Sequence, residues 1–180
     1  MDGLTAQEFL TLVKLERGMY LSKEEKDDVE RIKEKNKRVL ELIKDHHKDF
    51  DVYLTGHIDF DNLLTMYEIY KELKKRGVNV YYPGLFWANW REKGEIEYKI
   101  KNNAKILLVI TQTISFGTSV DVGFFIHRKI NEEEAKIVFC YTGPSYEFES
   151  LKTHPASIYI DYFTRDIEDA IEKTLEFLSL

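Results

Sequence analysis

Apolar residues at Leu4, Phe9, Leu10, Leu12, Val13 and Leu15 recur at helical spacing, which predicts a helix from Leu4 to Leu15 stopped near Gly18. Ser22-Lys23-Glu24-Glu25 has the form of a capping box. It opens a long helix to about His46, whose apolar stripe is Val29, Ile32, Val39, Leu40 and Ile43. From Asp51 the period changes. Short continuous apolar runs at Val52–Thr55, Val78–Tyr82, Ala104–Thr111, Ala135–Tyr141 and Ala156–Ile160 read as strands. Amphipathic stretches at Asp61–Lys75, Glu95–Asn103, Val120–His127 and Asp166–Leu178 read as helices, with Gly77 closing the first.

Apolar strands alternating with helices predict a five-stranded, mainly parallel sheet covered on both faces. The expected fold is therefore an α/β three-layer sandwich of Rossmann-like or flavodoxin-like layout. Residues 1–50 read as a helical extension packed on an α/β domain of residues 51–180, or as a dimerisation surface, and not as a separate domain, since no repeat and no Pro-, Gly- or Ser-rich linker separates them. Ligands of open parallel sheets bind beyond the carboxyl ends of the strands, where strand order reverses. The chemistry is to be sought there.

Composition narrows the function classes. A net charge of −6 opposes a nucleic-acid polymer as partner, because neutralising phosphates requires excess Lys and Arg. The single cysteine, Cys140, excludes an internal disulfide and any multi-cysteine metal site, and its run Ile137-Val138-Phe139-Cys140-Tyr141 reads as core. No apolar run approaches the ~20 residues that cross a bilayer. Met1-Asp2-Gly3-Leu4 lacks the basic and then apolar regions of a secretory leader, so the cytoplasm is the expected compartment and no membrane partner is expected. The Asp45-His46-His47 cluster reads as favourable charge at a helix end rather than a metal site. No Gly-x-Gly-x-x-Gly or Gly-Lys-Ser/Thr follows any strand, which opposes a dinucleotide or P-loop enzyme.

Three segments follow the first three strands. The first holds Gly56 and His57, the latter read either as a donor for a base or leaving group or, as is commoner for a lone loop histidine, as a bystander. The second holds Phe86, Trp87 and Trp90, which either stack a base or cover a sheet edge or subunit interface. The third is a hydroxyl-rich turn, Ser115-Phe116-Gly117-Thr118-Ser119, running into a helix start whose free N–H groups favour an anion or sugar hydroxyls. Asp121 is expected in the first turn of that helix, and Glu97 about one turn into the preceding one. Singly, each acid has an ordinary reading, a helix-start carboxylate for Asp121 and an exposed side chain for Glu97. Together they form the pair that glycosyl transfer uses, one attacking the anomeric carbon and one handling the leaving group's proton.

The segment Asp51–Tyr141 resembles the nucleoside 2-deoxyribosyltransferase superfamily, including its deoxynucleoside 5′-monophosphate N-glycosidase branch. Val52-Tyr53-Leu54-Thr55-Gly56 looks like that family's opening strand. Glu97, with Ala104-Lys105 beyond it, stands where the family has an Asp and then an Ala-Asp pair. Ser115-Phe116-Gly117-Thr118-Ser119-Val120-Asp121-Val122-Gly123 resembles its Gly-Thr-x-x-Glu-x-Gly stretch, whose Glu is the nucleophile. The resemblance implies Asp121 as nucleophile on C1′, Glu97 as acid or positioning carboxylate, and Tyr53 orienting the nucleophile. It also implies Ser115 and Ser119 near the sugar or its 5′ substituent, within a substrate-binding set of Gly56, His57, Trp87, Trp90, Ser115, Gly117, Thr118 and Ser119. Asp121 is one methylene shorter than the family residue and Glu97 one longer. Asp59 and Asp61 in the first loop would repel a phosphate, which favours a free nucleoside or a substrate held by the second-loop aromatics.

The implied reaction is N-glycosidic cleavage or base exchange on a nucleoside or nucleotide, with no metal or organic cofactor and, by resemblance, in a homo-oligomer. Three alternatives stand beside it. One is a non-catalytic nucleotide or nucleotide-sugar sensor. Another is an NAD-cleaving enzyme of the Toll/interleukin-receptor-like kind. The last is an interaction module whose function lies in the N-terminal helices.

Overall fold

The computed structural model describes residues 3–131 and 134–179. Met1 and Asp2, half of the stretch read for a leader, lie outside the described residues. In chain order the elements are α1 (Ala6–Glu16), α2 (Lys23–His46), β1 (Val52–Thr55), α3 (Phe60–Lys75), β2 (Val80–Tyr81), α4 (Trp90–Asn103), β3 (Ile106–Thr111) and α5 (Phe116–Ile130). Then come β4 (Lys136–Tyr141), α6 (Ser145–Thr153), a 3-10 helix at Pro155–Tyr159, β5 (Tyr162–Thr164) and α7 (Ile167–Leu178).

The five strands form one all-parallel sheet in the order β2-β1-β3-β4-β5, the flavodoxin-like α/β order. Every residue of β1 and β3 is buried, as are the last five of β4, because helices cover both faces. On one face α3 and α7 meet through Arg76, which binds Glu72, Glu168 and Glu172. On the other, α4 and α5 lie side by side. Tyr98 meets Phe124 edge-on at 5.6 Å, and the Arg128 guanidinium donates to the carbonyls of Lys101 and Ala104 at 2.7 and 2.6 Å.

The N-terminal helices dock beside β2. The Asn36 side chain donates to the Trp87 carbonyl and accepts from its N–H, at 2.9 and 2.7 Å. The Leu4 N–H donates to Leu85 O at 2.9 Å, and Phe50 packs edge-on to Tyr81. β2 is an edge strand with unpaired backbone on its outer side, a hazard that covering elements remove.

Several boundaries differ from the sequence expectation, each for a local reason. The helix expected from Glu95 begins at Trp90, because the Asn89 side chain caps the N–H of Glu92 at 3.0 Å. The helix expected from Val120 begins at Phe116, because Ser115 caps Thr118 at 3.2 Å. The strand expected at Ala156–Ile160 is instead the 3-10 helix. Pro155 sits at its first position, His154 accepts from the Ala156 N–H, and the Ser157 hydroxyl returns to Lys152 O. The fifth strand is Tyr162–Thr164, paired with Val138–Cys140. Helix α6 carries no strong apolar stripe, only Phe148 being buried, and its pattern escapes a reading by period.

Candidate active site

Because β1 and β3 are neighbours whose connections run to opposite sides, the crevice beyond their carboxyl ends is the switch point of this sheet. A cleft of about 470 Å³ opens there. Thr55, Gly56 and His57 from the end of β1 form its floor. One face of α4 (Trp90, Lys93, Gly94, Glu97 and Lys101) makes one wall, and the start of α5 (Phe116, Gly117, Val120 and Asp121) makes the other.

Asp121 lies in the second turn of α5, not the first, so the helix-start role has no bearing on it. It is 8% exposed. The Thr55 hydroxyl donates to Oδ2 at 2.6 Å and the Lys101 ammonium donates to Oδ1 at 2.8 Å. Both partners come from other elements, so three segments of chain fix one carboxylate. Each oxygen keeps capacity for a further hydrogen bond, and the residue lines the cleft.

Glu97 stands two turns into α4. It accepts from the Tyr81 hydroxyl at 2.5 Å, and the Lys93 ammonium lies 4.0 Å away. Tyr53 stacks on Tyr81 at 4.9 Å, and Lys101 sits 5.4 Å from the Tyr53 ring centroid. Burial pushes the Tyr53 phenol well above its usual range, and the negative charges of Glu97 and Asp121 push it further. It therefore stays protonated. Thr55, rather than Tyr53, donates the hydrogen bond that orients Asp121.

The substrate-binding set divides. Gly56, His57, Trp90, Ser115 and Gly117 line the cleft. Trp90 is 76% exposed at its mouth, opposite Phe116 at 87%. Trp87 is not among the lining residues. Its ring packs edge-on to Phe9 at 5.6 Å, and its backbone is held by Asn36. Thr118 and Ser119 turn to the other side of α5, into a separate cavity. Gly56 serves packing as well as access, since a Cβ there would fall 2.0 Å from the Ile110 carbonyl oxygen. That atom is backbone in the central strand and cannot swing aside. Gly56→Ala is expected to lower stability by about 2 kcal/mol or more, measured by urea unfolding.

Four residues to which the sequence reading gave no role complete the site: Thr55, Tyr81, Lys93 and Lys101. Lys93, Glu97 and Lys101 follow one another at i, i+4, i+8, a spacing visible in the sequence once the helix is known to begin at Trp90. Lys93 is buried, donating to the carbonyls of Pro83 at 2.6 Å and Phe86 at 3.3 Å, and so pins the loop between β2 and α4. Burial pulls its ammonium down to about 8, against which the nearby Glu97 charge works. A lysine with a folded pKa below its unfolded one is fully penalised at pH below 8 and relieved as pH rises toward the unfolded value near 10.5. Stability of the native protein relative to Lys93→Met is therefore expected to increase between pH 8 and 10.5, by up to about 3 kcal/mol. Parallel denaturant titrations across that window check it.

Among the described residues no cluster of three or more His, Cys, Asp or Glu is arranged to hold a metal ion, and no helix is long and apolar enough to cross a membrane. Compared with protein-family models, curated proteins and solved structures, the chain matches none of them. The arrangement of the cleft itself is what bears on function.

Proposed function

We propose that the cleft cleaves an N-glycosidic bond of a nucleoside or nucleotide, or exchanges its base, with Asp121 as the nucleophile. The observation that carries this reading is the Asp121 carboxylate, held by Thr55 and Lys101, lining the same cleft as Glu97 at the switch point of the sheet. The resemblance of Ser115–Gly123 to the deoxyribosyltransferase nucleophile stretch points the same way.

An Asp121 oxygen attacks C1′ as the C1′–N bond breaks, through an oxocarbenium-like transition state. The base leaves with the bonding electron pair and takes a proton from Glu97 or a water. Water or a second base then attacks C1′, the ester bond to Asp121 breaks, and the incoming group's proton returns to Glu97 or solvent. Thr55 and Lys101 hold Asp121 in a single orientation. Such positioning matters because a misplacement of about 1 Å can cost on the order of a hundredfold in rate. Trp90 and Phe116 at the mouth offer ring faces on which a base can stack, and the cations Lys93 and Lys101 are both engaged within the protein. That distribution favours an uncharged nucleoside over its 5′-phosphate.

One observation favours a second reading. The same ion pair that holds Asp121 also withdraws charge from it, which suits a binding site that does not turn over. A chromatographic screen separates the two. The protein is incubated with deoxynucleosides, ribonucleosides, their 5′-monophosphates and NAD. Release of free base supports the glycosidic reading, and nicotinamide release from NAD alone redirects it to NAD cleavage. Saturable binding without any release leaves the sensor.

A further inference from the structure

A second cavity, of about 350 Å³, lies behind α5, away from the cleft. Its floor is sheet, Phe139 of β4 and Phe163 of β5. One wall is α5, through Val122 and Ile126. The other is the connection from β4 to β5, through Leu151 and Ile160. The cavity exists because that connection is a nine-residue helix followed by a 3-10 helix, which together leave this face of the sheet incompletely covered.

The lining limits the occupant. Among the described residues no Asp, Glu, Lys or Arg lines the cavity. Its hydroxyls are engaged within the protein: Thr118 with Ser115 at 2.9 Å, Ser119 with Ser115 O at 3.0 Å, and Ser157 with Lys152 O at 2.7 Å. His154 accepts from the Ala156 N–H through Nδ1, which leaves only its Nε2 to meet a ligand. A charged molecule would lose its hydration here and gain no charged partner, only the His154 Nε2. The volume falls at the lower end of the roughly 300–1,000 Å³ of small-molecule sites, whereas an apolar cavity of about 150 Å³ already holds a benzene.

We infer that this cavity binds a small uncharged, mainly apolar molecule, of one to three aromatic rings or the equivalent branched aliphatic bulk. Helix α5 then carries two sites, Val120 and Asp121 facing the cleft and Val122 and Ile126 facing the apolar cavity. The inference is independent of the reaction proposed for the cleft.

The test uses N-phenyl-1-naphthylamine, a neutral dye that brightens in apolar surroundings. It is titrated into the full chain and into variants that fill the cavity from either wall, Val122→Trp and Ala156→Trp, with folding checked by circular dichroism. Saturable one-to-one binding, weakened at least tenfold in whichever filled variant folds and unchanged in Trp90→Ala at the cleft, is the expected result. Absence of saturable binding overturns the inference, as does binding that a folded filled variant leaves unchanged. Concentration-dependent self-association that a filled variant abolishes also overturns it, by assigning the cavity to a second copy of the chain.

Discussion

Asp121→Asn is expected to reduce base release by at least about a thousandfold while the chain still folds. The amide is close to isosteric with the carboxylate. Its oxygen can accept from Lys101 and its NH₂ can donate to the Thr55 hydroxyl, so both contacts survive in altered form. What disappears is the negative oxygen that forms the bond to C1′. Chromatographic initial rates on the best substrate of the screen, at matched folded fraction, provide the comparison. A loss of only a few-fold would move the nucleophile elsewhere, with Glu97 the next carboxylate to examine.

Lys101→Met is expected to lower stability by about 3 kcal/mol, the largest single-residue effect anticipated at the site. The pair is nearly out of water, with side-chain exposures of 13% for Lys101 and 12% for Asp121. Removing the ammonium leaves a buried carboxylate whose remaining side-chain donor is Thr55. The loss is due to that stranded charge, so adding Asp121→Asn to Lys101→Met should recover much of it. A double-mutant cycle by urea unfolding gives the coupling directly. Because the pair is buried, the coupling should change little with salt, unlike the exposed pairs on α2 such as Arg38–Glu34.

The fold was legible because continuous apolar runs such as Ile106–Thr111 and Lys136–Tyr141 leave few alternatives to a parallel sheet once helices separate them. The connection from β4 to β5 was not. Its 3-10 helix is set by Pro155 and by side-chain bonds from His154 and Ser157 rather than by any apolar period. At the site, Asp121 and Glu97 stood out as acids after strands, whereas Thr55 and Lys101 did not. Thr55 is the last residue of a strand, and its partner lies 66 positions away. Lys101 lies one turn beyond Glu97 in the helix the sequence already predicts, but nothing in that stretch marks their shared face as the one toward the cleft. Trp87 and Trp90 touch edge-on with ring centroids 6.5 Å apart, yet only Trp90 lines the cleft, because Asn36 of the N-terminal extension binds one backbone and α4 carries the other. Contacts of that range leave no periodic trace in a chain.

The most direct measurement is the intact mass of the protein quenched in acid within milliseconds of mixing with its substrate. Glycosidic cleavage through Asp121 requires a transient species heavier by one sugar residue. Proteolysis should localise the added mass to the α5 peptide that contains Asp121, and the species should be absent from Asp121→Asn. Base release with no adduct at any time point, or an adduct mapping to Glu97, would contradict that mechanism.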